Sequence, residues 1–245
     1  MRITFAGILA DAWSLFRRDS DLLLRVAGPF LFLPAFALTL FVPPMPMPDR
    51  AIADRDLQAQ QWADAVTAWV GGYGIGFAAA YLVVYFGTAT IMALYCDPAR
   101  PDLRGALRHA AAVFPRFMLA MIMISIPAGL GMWLVVPGLY VLARTMLAAP
   151  VLLADRAAGA WPAVRRSLTL TRGSGLTLLG LASLIYLVGL LGGQPFMMLD
   201  TWMRSTGAPN PVALAVVDAA AAAVAMITQL ALALIAVAVF RKLAR

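Results

Sequence analysis

Apolar residues fall along this chain in long runs, separated by short basic or proline-rich breaks. Six of the runs approach the roughly 20 apolar residues that a helix needs to cross a bilayer. They predict spans at about 22–42, 70–95, 117–135, 138–154, 175–191 and 212–240. Ahead of some spans the pattern becomes amphipathic. Phe5, Ile8, Leu9, Ala12, Trp13 and Phe16 share one helical face, and Asp11, Ser14, Arg17 and Arg18 lie off it. Thr4 stands where it can cap that helix. The same frame returns after Asp102 in Leu103, Ala106, Leu107, Ala110, Ala111 and Phe114. It returns again in Ala157, Ala160, Trp161, Val164 and Leu168, with Arg165 the exception and Pro162 in the first turn.

An amphipathic basic segment thus precedes spans one, three and five. This suggests a threefold repeat of an interfacial helix followed by a two-span hairpin. Independent patterning of basic loops gives the same signal. The expected fold is all-α: a polytopic membrane helical bundle forming one integral membrane domain over residues 1–245. It has six transmembrane helices with amphipathic cytoplasmic interfacial helices.

The breaks refine this picture. Pro29 and Pro34 predict kinks in the first span, and Pro43, Pro44, Pro46 and Pro48 end it. Ala35-Phe36-Ala37 resembles a signal-peptidase site, but the apolar run continues through Val42, so no cleavage is expected. The polar stretch 49–65 predicts a short separate helix outside the membrane. Its Asp49, Asp54, Asp56 and Asp64 match no calcium-loop spacing and read as a solvated acidic face. Gly72, Gly76 and Ala80 are four apart and predict close helix packing. Pro137-Gly138 predicts a tight turn between spans three and four. If those two form a re-entrant pair, the chain crosses four times.

Composition then excludes a water-soluble protein. The chain is 62% hydrophobic and 13% charged, with mean hydropathy +0.85, against about 25% charged for an ordinary soluble domain. The net charge of +7 sits in loops, so it reports topology and not nucleic-acid binding. Fifteen of the 19 basic residues fall in the termini and in 97–116 and 155–172. Only Arg50, Arg55 and Arg204 fall in the opposite loops. This asymmetry predicts cytoplasmic termini in a bacterial inner membrane. Cys96 and His109 are the only residues of their types. They exclude an intrachain disulfide and a Cys/His zinc cluster. His109 is expected to be solvated or to face phosphate. No catalytic residue, metal site or cofactor is expected.

Two ionisable residues are expected at membrane depth. Arg144 lies about two turns into span four and Asp218 about two turns into span six. Counted from the far side they reach similar depth, so they form a candidate intramembrane polar pair or line one cavity. Ser125, Thr228 and Gln229 are expected to bond between helices. Arg17, Arg18, Arg104, Arg108, Arg165, Arg166 and Arg172 are candidate contacts for lipid headgroups. The expected partner is a bilayer with anionic headgroups, alongside a membrane-protein partner whose identity the sequence does not give.

The run PGLYVLARTMLAAPVLLADRAAGAWPAVRRSLTLTRG, from Pro137 onward, resembles the signature of the YciC-like family of bacterial six-span inner-membrane proteins. It is also similar to the membrane domain found beside glycerophosphoryl diester phosphodiesterase domains. The likeness rests on Pro137-Gly138, on the passage from Pro150 through Val151, Leu152 and Leu153 to an acidic residue, and on Ala163 to Arg172 around Ser167. Family members often carry glutamate where Asp155 stands. The N-terminal stretch and basic tail fit the same family. The resemblance implies a six-span helical membrane protein, but not phosphodiesterase activity, because the acidic and histidine residues of such an enzyme are missing. The expected role is non-enzymatic: structural, envelope-maintaining, or binding a partner or lipid. The alternative is a small transporter or permeation protein with a site near Arg144 and Asp218. A lipid-handling role allied to phosphodiester metabolism rests on fold analogy alone.

Overall fold

The computed structural model describes residues 4–49, 51–99, 101–205 and 210–244. Arg2, Arg50, Arg100 and Arg245, counted above among the basic residues, lie outside the described residues, as do Ile3 and Pro209. The described residues are helical with no strand. In chain order the helices are α1 (Phe5–Ala27), a π-helical turn (Gly28–Phe32), α2 (Leu33–Phe41), α3 (Arg55–Cys96), α4 (Leu103–Met132), α5 (Val136–Thr145), α6 (Ala148–Ala154), α7 (Ala160–Leu170), α8 (Gly175–Ser205) and α9 (Pro211–Leu243). Six helical segments are long and apolar enough to cross a membrane: 5–41, 55–96, 103–132, 136–154, 175–205 and 211–243.

The first segment bends where its sequence is weakest as a helix. Asp19 leaves helical dihedrals (φ −119°, ψ 24°) and kinks α1. Pro29 lacks an N–H, and the chain accommodates it in the π-turn before α2. Thr4 occupies the N-cap position of α1, but its side chain makes no capping bond. Three other caps are made by side chains. Asp54 accepts from Asp56 and Leu57, Asp102 from Gly105, and Asn210 from Val212 and Ala213.

The separate polar helix expected over 49–65 does not form. Asp54 caps a helix that runs unbroken for 42 residues from Arg55 to Cys96. Nothing between 55 and 70 interrupts helical dihedrals, so the polar turns simply continue the span. The proline strap before it lies along α3, pinned by Trp62 Nε1 donating to Pro46 O (3.0 Å) and Trp69 Nε1 donating to Pro43 O (2.9 Å). Gly72 and Gly76 meet no other helix; they are exposed.

The amphipathic segments also differ from expectation. Two of the three merge into the spans that follow them, as the first part of α1 and of α4. Only α7 is a separate helix, because Gly173 at φ 86° turns the chain before α8.

The α4–α5 turn is built on a close glycine crossing. A Cβ on Gly131 would stand 2.7 Å from the Gly138 nitrogen, so only hydrogen fits. Val135 sits at φ 57°, a left-handed conformation that strains a β-branched residue. Trp133, Leu134, Val135 and Val136 around it are exposed and apolar. The turn is shallow. Val136 is about 12 Å of helix from Arg144, and Arg144 packs on Gly175 at the start of α8. Arg204 lies about 43 Å of helix beyond Gly175.

The core gathers Ile8, Leu23, Leu31, Ile91, Phe117, Leu147, Leu152, Leu153, Leu178 and Leu181, with α9 from Leu230 to Val239 at its centre. α8 and α9 pack along their length, and α1, α2 and α3 also pack on α9. The end of the bundle holding Asp97, Gly175 and Lys242 is called the basic end, and the end holding Asp218 the far end.

Candidate functional site

Arg144 ends α5, where the helix breaks before α6. A break strands the carbonyl before it and the N–H after it. Ser167 of α7 satisfies both. Its Oγ donates to Arg144 O (2.9 Å) and accepts from Leu147 N (3.2 Å). Thr171 Oγ1 donates to Ser167 O at 2.8 Å and stands 3.2 Å from Arg144 O as a longer, secondary contact. Ser167 and Thr171 are fully buried. α7 is therefore locked onto the break by side-chain bonds to backbone.

Among the described residues, the Arg144 guanidinium has no carboxylate partner. Its Nη2 donates to Leu168 O at 2.6 Å, and Nη1 reaches Tyr140 Oη at 3.4 Å. The guanidinium carbon lies 5.8 Å from the Tyr140 ring centre. Nε is buried and unbonded. Beside it opens a mostly apolar cleft of about 390 Å³ lined by Met123, Ile124, Pro127, Trp161, Val164 and Leu168.

Asp218 is 1% exposed in α9. Its partner is Arg204 of α8, whose Nη2 stands 3.2 Å from Oδ2. Arg204 Nε donates to Asp200 Oδ1 at 2.7 Å, one helical turn back. The same Nη2 donates to Thr39 O at 3.2 Å, an orphan carbonyl at the end of α2. Two carboxylates thus share one guanidinium. They border a chamber of about 730 Å³ between α2, α3, α8 and α9. Its α3 wall carries Trp69, Tyr73, Phe77 and Tyr81. Spacing by four places these rings on one stripe, with Trp69–Phe77 and Phe77–Tyr81 centres 5.4 and 4.7 Å apart.

The expected Arg144–Asp218 pair does not form. Depth counted from the far side assumed that spans four and six begin at one level. The shallow α4–α5 turn leaves Arg144 at the basic end, beside the first residue of α8. Asp218 lies beside Arg204 at the other end of α8. Ser125 and Thr228 also bond within their own helices, to Met121 O and Val224 O, both at 2.8 Å. A hydroxyl four residues along from a carbonyl finds it without help from a neighbour.

The seven candidate headgroup arginines, Arg17, Arg18, Arg104, Arg108, Arg165, Arg166 and Arg172, are all exposed. Arg18 pairs with Asp19 at 2.9 Å. Among the described residues, the other six have no hydrogen-bond or ion-pair partner.

Sequence reasoning missed a third cluster. Asp97, between α3 and α4, is 4% exposed, and His109 is 5% exposed. Arg156 Nη2 reaches Asp97 Oδ2 at 2.8 Å, and His109 Nδ1 lies 3.4 Å from the same oxygen. His109 Nε2 lies 3.1 Å from Leu153 O. Arg116 donates to Arg156 O and Ala158 O at 2.8 and 3.2 Å. His109 is thus a buried crosslink and not a solvated residue. Its position in the amphipathic frame, directly before the buried Ala110, was the available signal. Burial opposes ionisation of Asp97, but the Ala99 N–H, Arg156 and His109 outweigh it and hold the carboxyl below its ordinary range. Among the described residues, no three His, Cys, Asp or Glu gather as metal ligands.

Six helices of spanning length and composition define a multi-pass, membrane-embedded helical protein. Comparison with protein-family models, with curated proteins and with solved structures finds no match.

Proposed function

We propose that this is a non-enzymatic bacterial inner-membrane protein that binds anionic lipid headgroups at its basic end, with both termini cytoplasmic. The observation that carries the reading is the set of six exposed, unpaired arginines: Arg17, Arg104, Arg108, Arg165, Arg166 and Arg172. They lie in the amphipathic segments of α1, α4 and α7 or just after α7, where anionic headgroups supply the missing negative charge at about 1 kcal/mol each. Arg144, with its free Nε beside an apolar cleft, offers the same chemistry one layer deeper. The positive-inside distribution supports the orientation. The likeness of residues 137–175 to the YciC-like family supports a bacterial inner-membrane, envelope-maintaining or partner-binding role.

The test is thermal unfolding in neutral detergent with added phosphatidylglycerol or phosphatidylcholine. Phosphatidylglycerol should raise the melting temperature of the natural protein, and the double variant Arg165→Gln/Arg166→Gln should lose part of that gain. Equal stabilisation by both lipids sinks the proposal. A second reading, a small permeation protein, draws on the chamber at Asp218. It predicts solute flux into proteoliposomes that Asp218→Asn abolishes while Arg144→Gln leaves it unchanged.

A further inference from the structure

The far-end chamber sets two acidic side chains against one guanidinium. Among the described residues, Asp200 and Asp218 contribute two carboxylates, and Arg204 is the only basic side chain lining the space. Arg204 is already committed to both acids and to Thr39 O. Asp218 is almost wholly buried, and a carboxylate removed from water needs a compensating partner. One guanidinium compensates one of the two, and the hydrogen bond between the Asp200 and Asp218 carboxyl groups needs a proton whose place an ammonium can take.

The walls select what supplies the second positive charge. An anion meets two carboxylates and is repelled. A bare metal cation needs about six oxygen ligands, and much of the wall here is aromatic or aliphatic. Trp69, Tyr73, Phe77 and Tyr81 present ring surface along one side. The Trp69 N–H is taken by Pro43 O, so that side chain offers its π-system alone. Leu38, Phe196 and Met197 complete an apolar lining. Carboxylates beside aromatic rings bind alkylammonium groups, through charge on one side and the ring quadrupole on the other. The apolar lining accommodates a hydrocarbon body attached to that group.

We propose that the chamber bounded by Asp200, Arg204, Asp218 and the aromatic stripe of α3 binds an ammonium group carried on an apolar body. The site is independent of the basic-end lipid contacts, which have the opposite charge and lie along α8 from it. Two sources offer this chemistry: the amine headgroup of a lipid, and a free lipophilic amine. Asp218 holds the ammonium from the α9 side, Asp200 from the α8 side, and the rings of Phe77 and Tyr81 cover its remaining face.

The test uses the purified full chain in neutral detergent, with two arms. In the first, benzyltriethylammonium binding is measured by calorimetry, with benzenesulfonate as the anionic control. In the second, retention of phosphatidylethanolamine against phosphatidylglycerol is measured by native mass spectrometry. Asp218→Asn should weaken ammonium binding or retention roughly tenfold or more, and Phe77→Leu severalfold. Asp200→Asn is the second variant should Asp218→Asn fail to fold, since Asp200 is less buried. Binding in the first arm alone identifies a free amine, and in the second alone a lipid. The proposal is overturned if neither source binds, or if the foldable Asp→Asn variants bind as the natural protein does. Loss of phosphatidylglycerol stabilisation in the Arg165→Gln/Arg166→Gln variant bears on the basic end and leaves this result unmoved.

Discussion

The two ends of the bundle handle buried polar groups in opposite ways. At the basic end, Arg144 is held by carbonyls and by a tyrosine, and its charge meets no acid. The helix break beside it is closed by the neutral hydroxyls of Ser167 and Thr171. At the far end, Asp218 is held by an ion network, and acids outnumber bases. One end therefore leaves a guanidinium without an acid, and the other sets two acids on one guanidinium. Two intramembrane charges of opposite sign need not be partners. Each can mark its own site when a single helix, here α8, separates them.

Three changes test this contrast. The largest effect is expected at the Asp97 knot, where a buried carboxylate meets the buried His109 and an exposed Arg156. Asp97→Asn removes the negative charge that His109 and Arg156 face and turns one acceptor oxygen into a donor, and should cost about 2–3 kcal/mol at neutral pH. The folded carboxyl lies below its ordinary range, so its contribution is present above about pH 4. It is lost as pH falls further, through the folded value. Melting of the natural protein should weaken across that window, and the variant should lack that part of the acid sensitivity. An unchanged acid profile would show that Asp97 carries no such load.

Ser167→Ala should cost less, about 1–2 kcal/mol, by stranding Leu147 N and leaving Arg144 O only the longer Thr171 contact. The same variant should expose α7 to limited proteolysis before the rest of the chain. If α7 stays protected, the break is held by packing alone. The smallest effect is the most discriminating. In a double-mutant cycle, Arg144→Gln and Asp218→Asn should add to within about 0.5 kcal/mol. A larger coupling would reunite the two residues and break the contrast.

The elements were readable where one physical rule governs them. Apolar runs placed the helices, Asp102 placed the start of α4, and Pro43 onward placed the end of α2. The errors share a cause. Whether polar turns form a separate helix or extend a span depends on what interrupts them, and nothing interrupts the helix from Arg55 into the span. Whether Gly72 and Gly76 meet a helix depends on where the neighbours stand, and they stand elsewhere. At the candidate site, both charged residues were found, because ionisable groups in apolar runs are conspicuous. Their partners were not found. Arg204 was counted as a loop residue, although α8 runs on through it for more than two turns beyond its predicted end, past Gly192, Gly193 and Pro195. The stripe of Trp69, Tyr73, Phe77 and Tyr81 becomes one wall only where α2, α8 and α9 face it.

The sequence by itself determined the solvent of this protein. Hydropathy and charge act residue by residue and add along the chain, so a span and its basic flank need no knowledge of neighbours. Only the tertiary structure decided which charges meet. The level of each helix depends on turn depth and helix breaks, here the Gly131–Gly138 crossing and the break closed by Ser167. Those are contacts between distant segments, and a small change in either slides Arg144 past a whole set of partners.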